Sequence, residues 1–190
     1  MKPMFHALSG LLLLLPAAAA HAKPADESAG ILEHLINNPS PGAMRVEGLR
    51  EPPPVRSDSG VQGGKALIIA VPGLSKDVWS VQAKSPTTGP VEAGDELVFA
   101  VWARLVKSDG AKVADVPYAA LQETSEPWTA VVKGEFSVGP DWKLYSFTGK
   151  TAKHYAPGDL TISLHLATGK HSIALGPAFV LNMSRTASAK

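Results

Sequence analysis

The chain has no cysteine among its 190 residues, which excludes disulfides, thiolate metal sites and a cysteine nucleophile. It has no surplus of one charge either: 18 Lys and Arg stand against 17 Asp and Glu, a formal net charge of +1. Such a balance argues against broad electrostatic capture of nucleic acid or of an anionic membrane. Aromatic residues are few, at 6%. Beyond Leu15 no second long apolar run occurs, so nothing further along reads as a membrane span. Catalytic and phosphate-binding signatures are missing as well, with no GxSxG elbow, HExxH helix, Walker loop or GxGxxG turn. What the chain does have is 17 glycines, 16 prolines and 45% hydrophobic residues. That mixture describes a foldable chain rich in turns and disfavours a helical bundle or a disordered tail.

Residues 1–22 read as a secretory signal peptide. Lys2 and His6 precede the apolar run Leu11–Leu15, and Pro16, four alanines and the small-x-small end Ala20-His21-Ala22 follow. The run is too short for a bilayer, which needs about 20 residues. Cleavage is expected after Ala22, and no cysteine follows to carry a lipid. The expected location is periplasmic or secreted, and a lack of disulfides fits a bacterial exported protein. Residues 23–34 are expected to fray, with a helical turn near Ala29–Leu35. Residues 35–184 form the domain, and 185–190 a tail.

Within the domain, Arg50–Gly64 (REPPPVRSDSGVQGG) is rich in Pro, Gly and charge. Three consecutive prolines forbid helix, and the segment reads as a long surface loop. From there on, short apolar stretches alternate with turn signals: Ala66–Val71, Val78–Lys84, Glu96–Val106, Val116–Glu123, Gly134–Val138, Lys143–Thr148, Leu160–Ala167 and Ser172–Met183. No helix-length connection separates them, so the strands are antiparallel. The expected fold is all-β, a jelly-roll β-sandwich of about eight antiparallel strands.

Alternation along a strand assigns faces. Leu97, Phe99, Val101, Ala103 and Leu105 turn to the core, which leaves Trp102 and Arg104 on the opposite face. Ala119 and Leu121 turn inward, and Tyr118 and Gln122 outward. Leu160, Ile162, Leu164 and Leu166 turn inward, and Ser163 and His165 outward. In Val78–Lys84, Trp79, Val81 and Ala83 are expected inside, with Ser80, Gln82 and Lys84 outside. Trp79 and Trp142 are expected in the core, and Trp128, after Pro127, on a loop. If the outward residues share one sheet, Trp102, Arg104, Tyr118, Gln122, His165, Gln82 and Ser163 make a platform of aromatic and hydrogen-bonding groups. Such a platform suits a sugar, whose C–H faces pack on rings and whose hydroxyls need fixed donors and acceptors. Alternation leaves open whether the Arg50–Gly64 segment covers Trp102 and Tyr118.

Several phrases are similar to those of a known family. Leu35-Ile36-Asn37-Asn38-Pro39, Gly63–Leu67, Gly94–Arg104 (GDELVFAVWAR), Asp141–Thr148 (DWKLYSFT), and Ile162–Ala167 followed by Leu175-Gly176-Pro177 occur in an order and spacing that resembles the family 4/9 carbohydrate-binding modules, within the galactose-binding-like jelly rolls. The resemblance covers residues 35–183. It implies a polysaccharide or oligosaccharide ligand in a groove on a concave sheet face, here that of Trp102, Arg104, Tyr118, Gln122 and His165. Members often carry a structural calcium ion. No dense carboxylate cluster of the kind calcium prefers is evident, so the metal stays unassigned and no other cofactor is expected.

The expected function is that of an exported, non-catalytic glycan binder, beside a separate glycan-active enzyme. Two alternatives remain at this point. One is a small jelly-roll hydrolase or lyase using Glu123 or His165, which would need carboxylates held across a cleft. The other is a structural or protein-interaction module that has lost the sugar site. Single-stranded nucleic acid also binds aromatic platforms, but on basic grooves, which composition does not suggest.

Overall fold

Strand formation follows the alternation of large apolar residues with smaller or polar ones. The computed structural model describes residues 30–185; the expected signal peptide 1–22, residues 23–29 and the end of the tail lie outside them. Ten strands form two antiparallel five-stranded sheets. They are β1 Arg45–Glu47, β2 Val55–Ser57, β3 Lys65–Val71, β4 Gln82–Pro86, β5 Glu96–Ser108, β6 Ala114–Glu123, β7 Ala130–Val138, β8 Lys143–Lys150, β9 Leu160–His165 and β10 His171–Asn182. One sheet has the order β1-β4-β9-β6-β7 and the other β2-β3-β10-β5-β8. The architecture is a jelly-roll β-sandwich.

Between the sheets, Ile69, Leu97, Phe99, Leu121, Ile162, Leu164 and Leu175 are fully buried. Each such side chain contributes roughly 1.5–3 kcal/mol over its exposed state. Along one side of the sandwich the edge strands β7 and β8 approach each other. There Phe136 stacks on Tyr145 at 4.1 Å between centroids, and the Tyr145 hydroxyl donates to the Ser137 carbonyl at 2.8 Å. These half-buried rings fill the gap that two unpaired edges would leave to water.

Two expectations about elements need correction. Val78–Lys84 is not one strand: Val78–Ser80 is a 3₁₀ turn, and β4 begins at Gln82. The Pro-rich segment is not all loop, because Val55–Ser57 pairs with Lys65–Leu67 as an edge strand. Together with β1, it brings the count to ten. The first described residues, 30–33, are helical. After them, Leu35 bridges Leu181, and the buried Asn37 side chain donates to the Ala178 carbonyl at 3.0 Å while accepting from the Val180 N–H at 2.7 Å. One amide thus satisfies two buried backbone groups and fastens the Asn-Pro segment to β10.

Candidate functional site

The outer face of the β1-β4-β9-β6-β7 sheet carries a groove of about 780 Å³. Its floor follows from register. Glu47 pairs with Gln82, and Gln82 with His165. In the next strand Tyr118 stacks on His165, 4.3 Å between centroids and 20° from parallel. One step along the strands, Arg45, Lys84, Ser163, Ala120 and Lys133 form a second cross-strand row. A third row joins Pro86, Thr161 and Gln122. Ser163 and Ala120 point outward yet are fully buried, because the longer side chains around them lean over.

Tryptophans stand at the two ends of this face. Trp79, on the Val78–Ser80 turn, lies 6.3 Å from the His165 ring; Ala167 donates to the Val78 carbonyl at 3.1 Å and fixes the turn there. Trp128 lies at the other end, in the β6–β7 connection, where Glu123 donates to the Thr129 carbonyl at 3.0 Å. Both indoles are about half exposed, 54% and 52%, and both line the groove. Trp128 holds a left-handed backbone, φ 52°. A bulky residue adopts that conformation at a cost of roughly 1–3 kcal/mol, a kind of strain that gathers at functional sites.

Between them the polar groups are held by one another. The Tyr118 hydroxyl donates to Gln122 Oε1 at 2.7 Å, and burial pushes its pKa up, so it remains a donor. Gln82 Nε2 and Lys84 Nζ both donate to Glu47 Oε2, at 3.1 and 2.9 Å. His165 is pushed down to about 4 by burial first and by the Lys84 charge second. At neutral pH it is an uncharged ring, suited to stacking. Glu123 accepts from Lys153 at 2.8 Å and from the Tyr155 hydroxyl at 3.3 Å. The Lys153 ammonium holds its carboxyl below the usual range against the opposing effect of burial.

Five of the seven residues singled out from the sequence meet on this face: Tyr118, Gln122, His165, Gln82 and Ser163. Trp102 and Arg104 do not. They lie on β5, in the other sheet, and the expectation of one shared platform is corrected accordingly. Arg104 pairs with Asp58 at 2.9 Å and lies 5.3 Å from the Trp142 ring centroid. The Trp102 indole donates to Gln62 at 3.3 Å, and that of Trp142 to Asp58 at 3.4 Å. The Gly60 N–H first, then the Arg104 guanidinium, hold the Asp58 carboxyl below its usual range while burial opposes them. The Arg50–Gly64 segment therefore packs on Trp102, not on Tyr118. Trp142 is half-buried on this outer surface and not in the core.

Strand alternation puts Trp79 inside only when it is carried back through Val78–Ser80, a 3₁₀ turn where it does not hold. The preceding Ser75-Lys76-Asp77 was the available signal that the strand had not begun. Trp128 was legible as a loop aromatic beside Pro127, but its end of the groove was not. His165 and His171, which flank one turn, fall in different sheets. Among the described residues no three His, Asp or Glu gather to hold a metal ion.

No protein-family model and no curated protein matches the chain by sequence. Solved structures match its fold. A CBM4 module is similar with a TM-score of 0.57 and 15% identity, covering 75% of this chain and 96% of that one. The CBM22-1 xylan-binding domain from Paenibacillus barcinonensis gives 0.55 and 12%, covering 80% and 94%. The N-terminal cellulose-binding domain of a Cellulomonas fimi β-1,4-glucanase gives 0.53 and 15%, covering 77% and 93%. At these identities the likeness is one of architecture: the chain has the jelly-roll β-sandwich fold of the CBM4 and CBM22 carbohydrate-binding modules.

Proposed function

We propose that the protein is a non-catalytic glycan-binding module that holds a polysaccharide or oligosaccharide in the groove of the β1-β4-β9-β6-β7 sheet. The observation that carries this reading is the groove itself: indoles at both ends, a stacked Tyr118–His165 pair on the floor, and side-chain amides between them. Rings offer flat apolar surface to the C–H faces of a sugar, and amides held by neighbours offer hydrogen bonds in fixed directions. Trp79 and Trp128 stack on the chain above the floor made by the Tyr118–His165 pair, while Gln82 and Gln122 orient it, with Ser163 beneath them. Solved neighbours that include a xylan-binding and a cellulose-binding domain give this reading further support.

The carboxylates beside the groove favour binding over bond cleavage. Glu47 and Glu123 are both engaged by lysines. The depressed Glu123 is the reverse of a general acid, which needs a raised pKa. Among the described residues no helix is long and apolar enough to cross a membrane. The leader-like residues 1–22 support export to the periplasm or beyond, where a separate glycan-active enzyme is the partner that such a module serves.

The test is isothermal titration calorimetry over a panel of xylan-, cellulose- and uronate-derived oligosaccharides. Trp79→Ala and Trp128→Ala should each weaken the retained ligand about tenfold or more, as truncation of an aromatic anchor does, with no release of reducing ends by the parent protein. Unchanged affinity in both variants contradicts the assignment of the groove.

A further inference from the structure

In the groove, acceptors and donors are engaged unequally. Most of the side-chain acceptors already have internal partners. Glu47 Oε2 takes protons from Lys84 and Gln82, and Glu47 Oε1 lies 3.6 Å from Arg45 Nε. Gln122 Oε1 takes the Tyr118 hydroxyl, and Gln82 Oε1 faces Ser163 Oγ at 3.5 Å. Glu123 Oε1 is held by Lys153 and Tyr155.

The donors are not used up. Lys84 has three N–H groups and Arg45 five, and Arg45 is 81% exposed. Lys133 has no carboxylate partner among the described residues and lies 5.2 Å over the Tyr118 ring. Register sets these three cations in one row across the sheet, with the short Ser163 and Ala120 between Lys84 and Lys133. Lys133 and Glu135, the two charges that alternation turns outward on β7, both lie outside the groove lining, and Lys133 is the one that reaches its edge, over the Tyr118 ring. A site whose acceptors are mostly engaged and whose spare N–H groups are cationic matches a ligand that brings its own anionic acceptors.

We infer that the groove binds an anionic glycan whose sugar residues carry carboxylates, a uronic-acid-containing chain, with Arg45 and Lys84 in the groove and Lys133 at its edge as the row that meets the carboxylate. This rests on the glycan-binding reading above and names its substrate class. Carboxylate suits the planar guanidinium fork of Arg45, which engages both oxygens at once. The overall charge of +1 makes this a local arrangement and not a general affinity for polyanions.

Calorimetry compares oligogalacturonate, oligomannuronate and glucuronic-acid-substituted xylo-oligosaccharides with the same compounds after reduction of each carboxyl to an alcohol, and with a sulfated oligosaccharide. At least one uronate should bind about tenfold more tightly than its reduced form, a gap that narrows as salt rises from about 20 to about 200 mM. Arg45→Ala and Lys133→Gln, both at exposed positions, should each weaken the uronate about three- to fivefold more than they weaken the reduced form; equal losses for the two forms overturn the anionic assignment. Reduced forms bound as tightly as the uronates, and lost in Trp79→Ala, overturn the anionic assignment but keep the glycan site. Binding of the sulfated sugar without any uronate overturns the carboxylate assignment. Failure of every sugar, charged or neutral, overturns both readings.

Discussion

His165 couples the candidate site to pH. Its imidazole, buried against Tyr118 and facing the Lys84 charge, stays neutral down to about pH 4, against an ordinary value of 6.5. As pH falls below 6.5 the unfolded chain takes up a proton that the folded ring refuses. Stability is therefore fully present above pH 6.5 and declines as pH falls toward 4. His171, pushed down by burial and partly restored by the Leu166 carbonyl, acts in the same direction. Thermal unfolding followed across this range should show a shallower acid-side decline in His165→Gln than in the parent. Parallel profiles would mean that the ring is not held neutral by its site. At this scale the sequence was informative about Tyr118, Gln122 and His165, because alternation within one strand decides which way a side chain points. It misled at Trp79, because the rule was carried through a turn where it does not hold.

Among the elements, the Val78–Ser80 turn matters most to the site, because it carries Trp79. It is set against the residue that ends β1's excursion. Gly48 has φ +85°, and a Cβ there would lie 1.6 Å from the Ser80 carbonyl oxygen. No side chain fits without moving the turn. Gly48→Ala should therefore lower stability and also weaken ligand binding severalfold through Trp79. Gly73→Ala, where a Cβ meets nothing within 4 Å, should change neither. Chemical denaturation and calorimetry on the two variants check this; a Gly48→Ala protein with parent stability and affinity contradicts the account. The long strands were legible because five inward residues in a row, Leu97 to Leu105, leave little choice of period. The three-residue strands β1 and β2 were not. Three residues do not establish a period, and they pair only because β4 and β3 present free edges.

For the molecule as a whole, the two sheets divide the aromatic residues by task. The β1-β4-β9-β6-β7 sheet is flanked by two half-exposed indoles above a polar floor. The other sheet uses its two indoles to dock the Pro-rich segment. Gly176 permits this closeness, since a Cβ there would lie 2.6 Å from the Val61 side chain and 2.8 Å from that of Trp102. Sheet membership is what the sequence could not reveal. Alternation separates inside from outside, but both sheets of a sandwich have an outside. The choice between them depends on pairings between residues far apart in the chain, such as Ala103 with Leu175 or Ala83 with Leu164. The most direct test of the account uses the four tryptophans as reporters, Trp79 and Trp128 on one face and Trp102 and Trp142 on the other. In a ¹H–¹⁵N spectrum titrated with the oligosaccharide that binds best, the indole N–H signals of Trp79 and Trp128 should shift or broaden while those of Trp102 and Trp142 stay fixed. Movement of Trp102 and Trp142 with Trp79 and Trp128 unmoved would place the ligand on the wrong sheet and contradict the account.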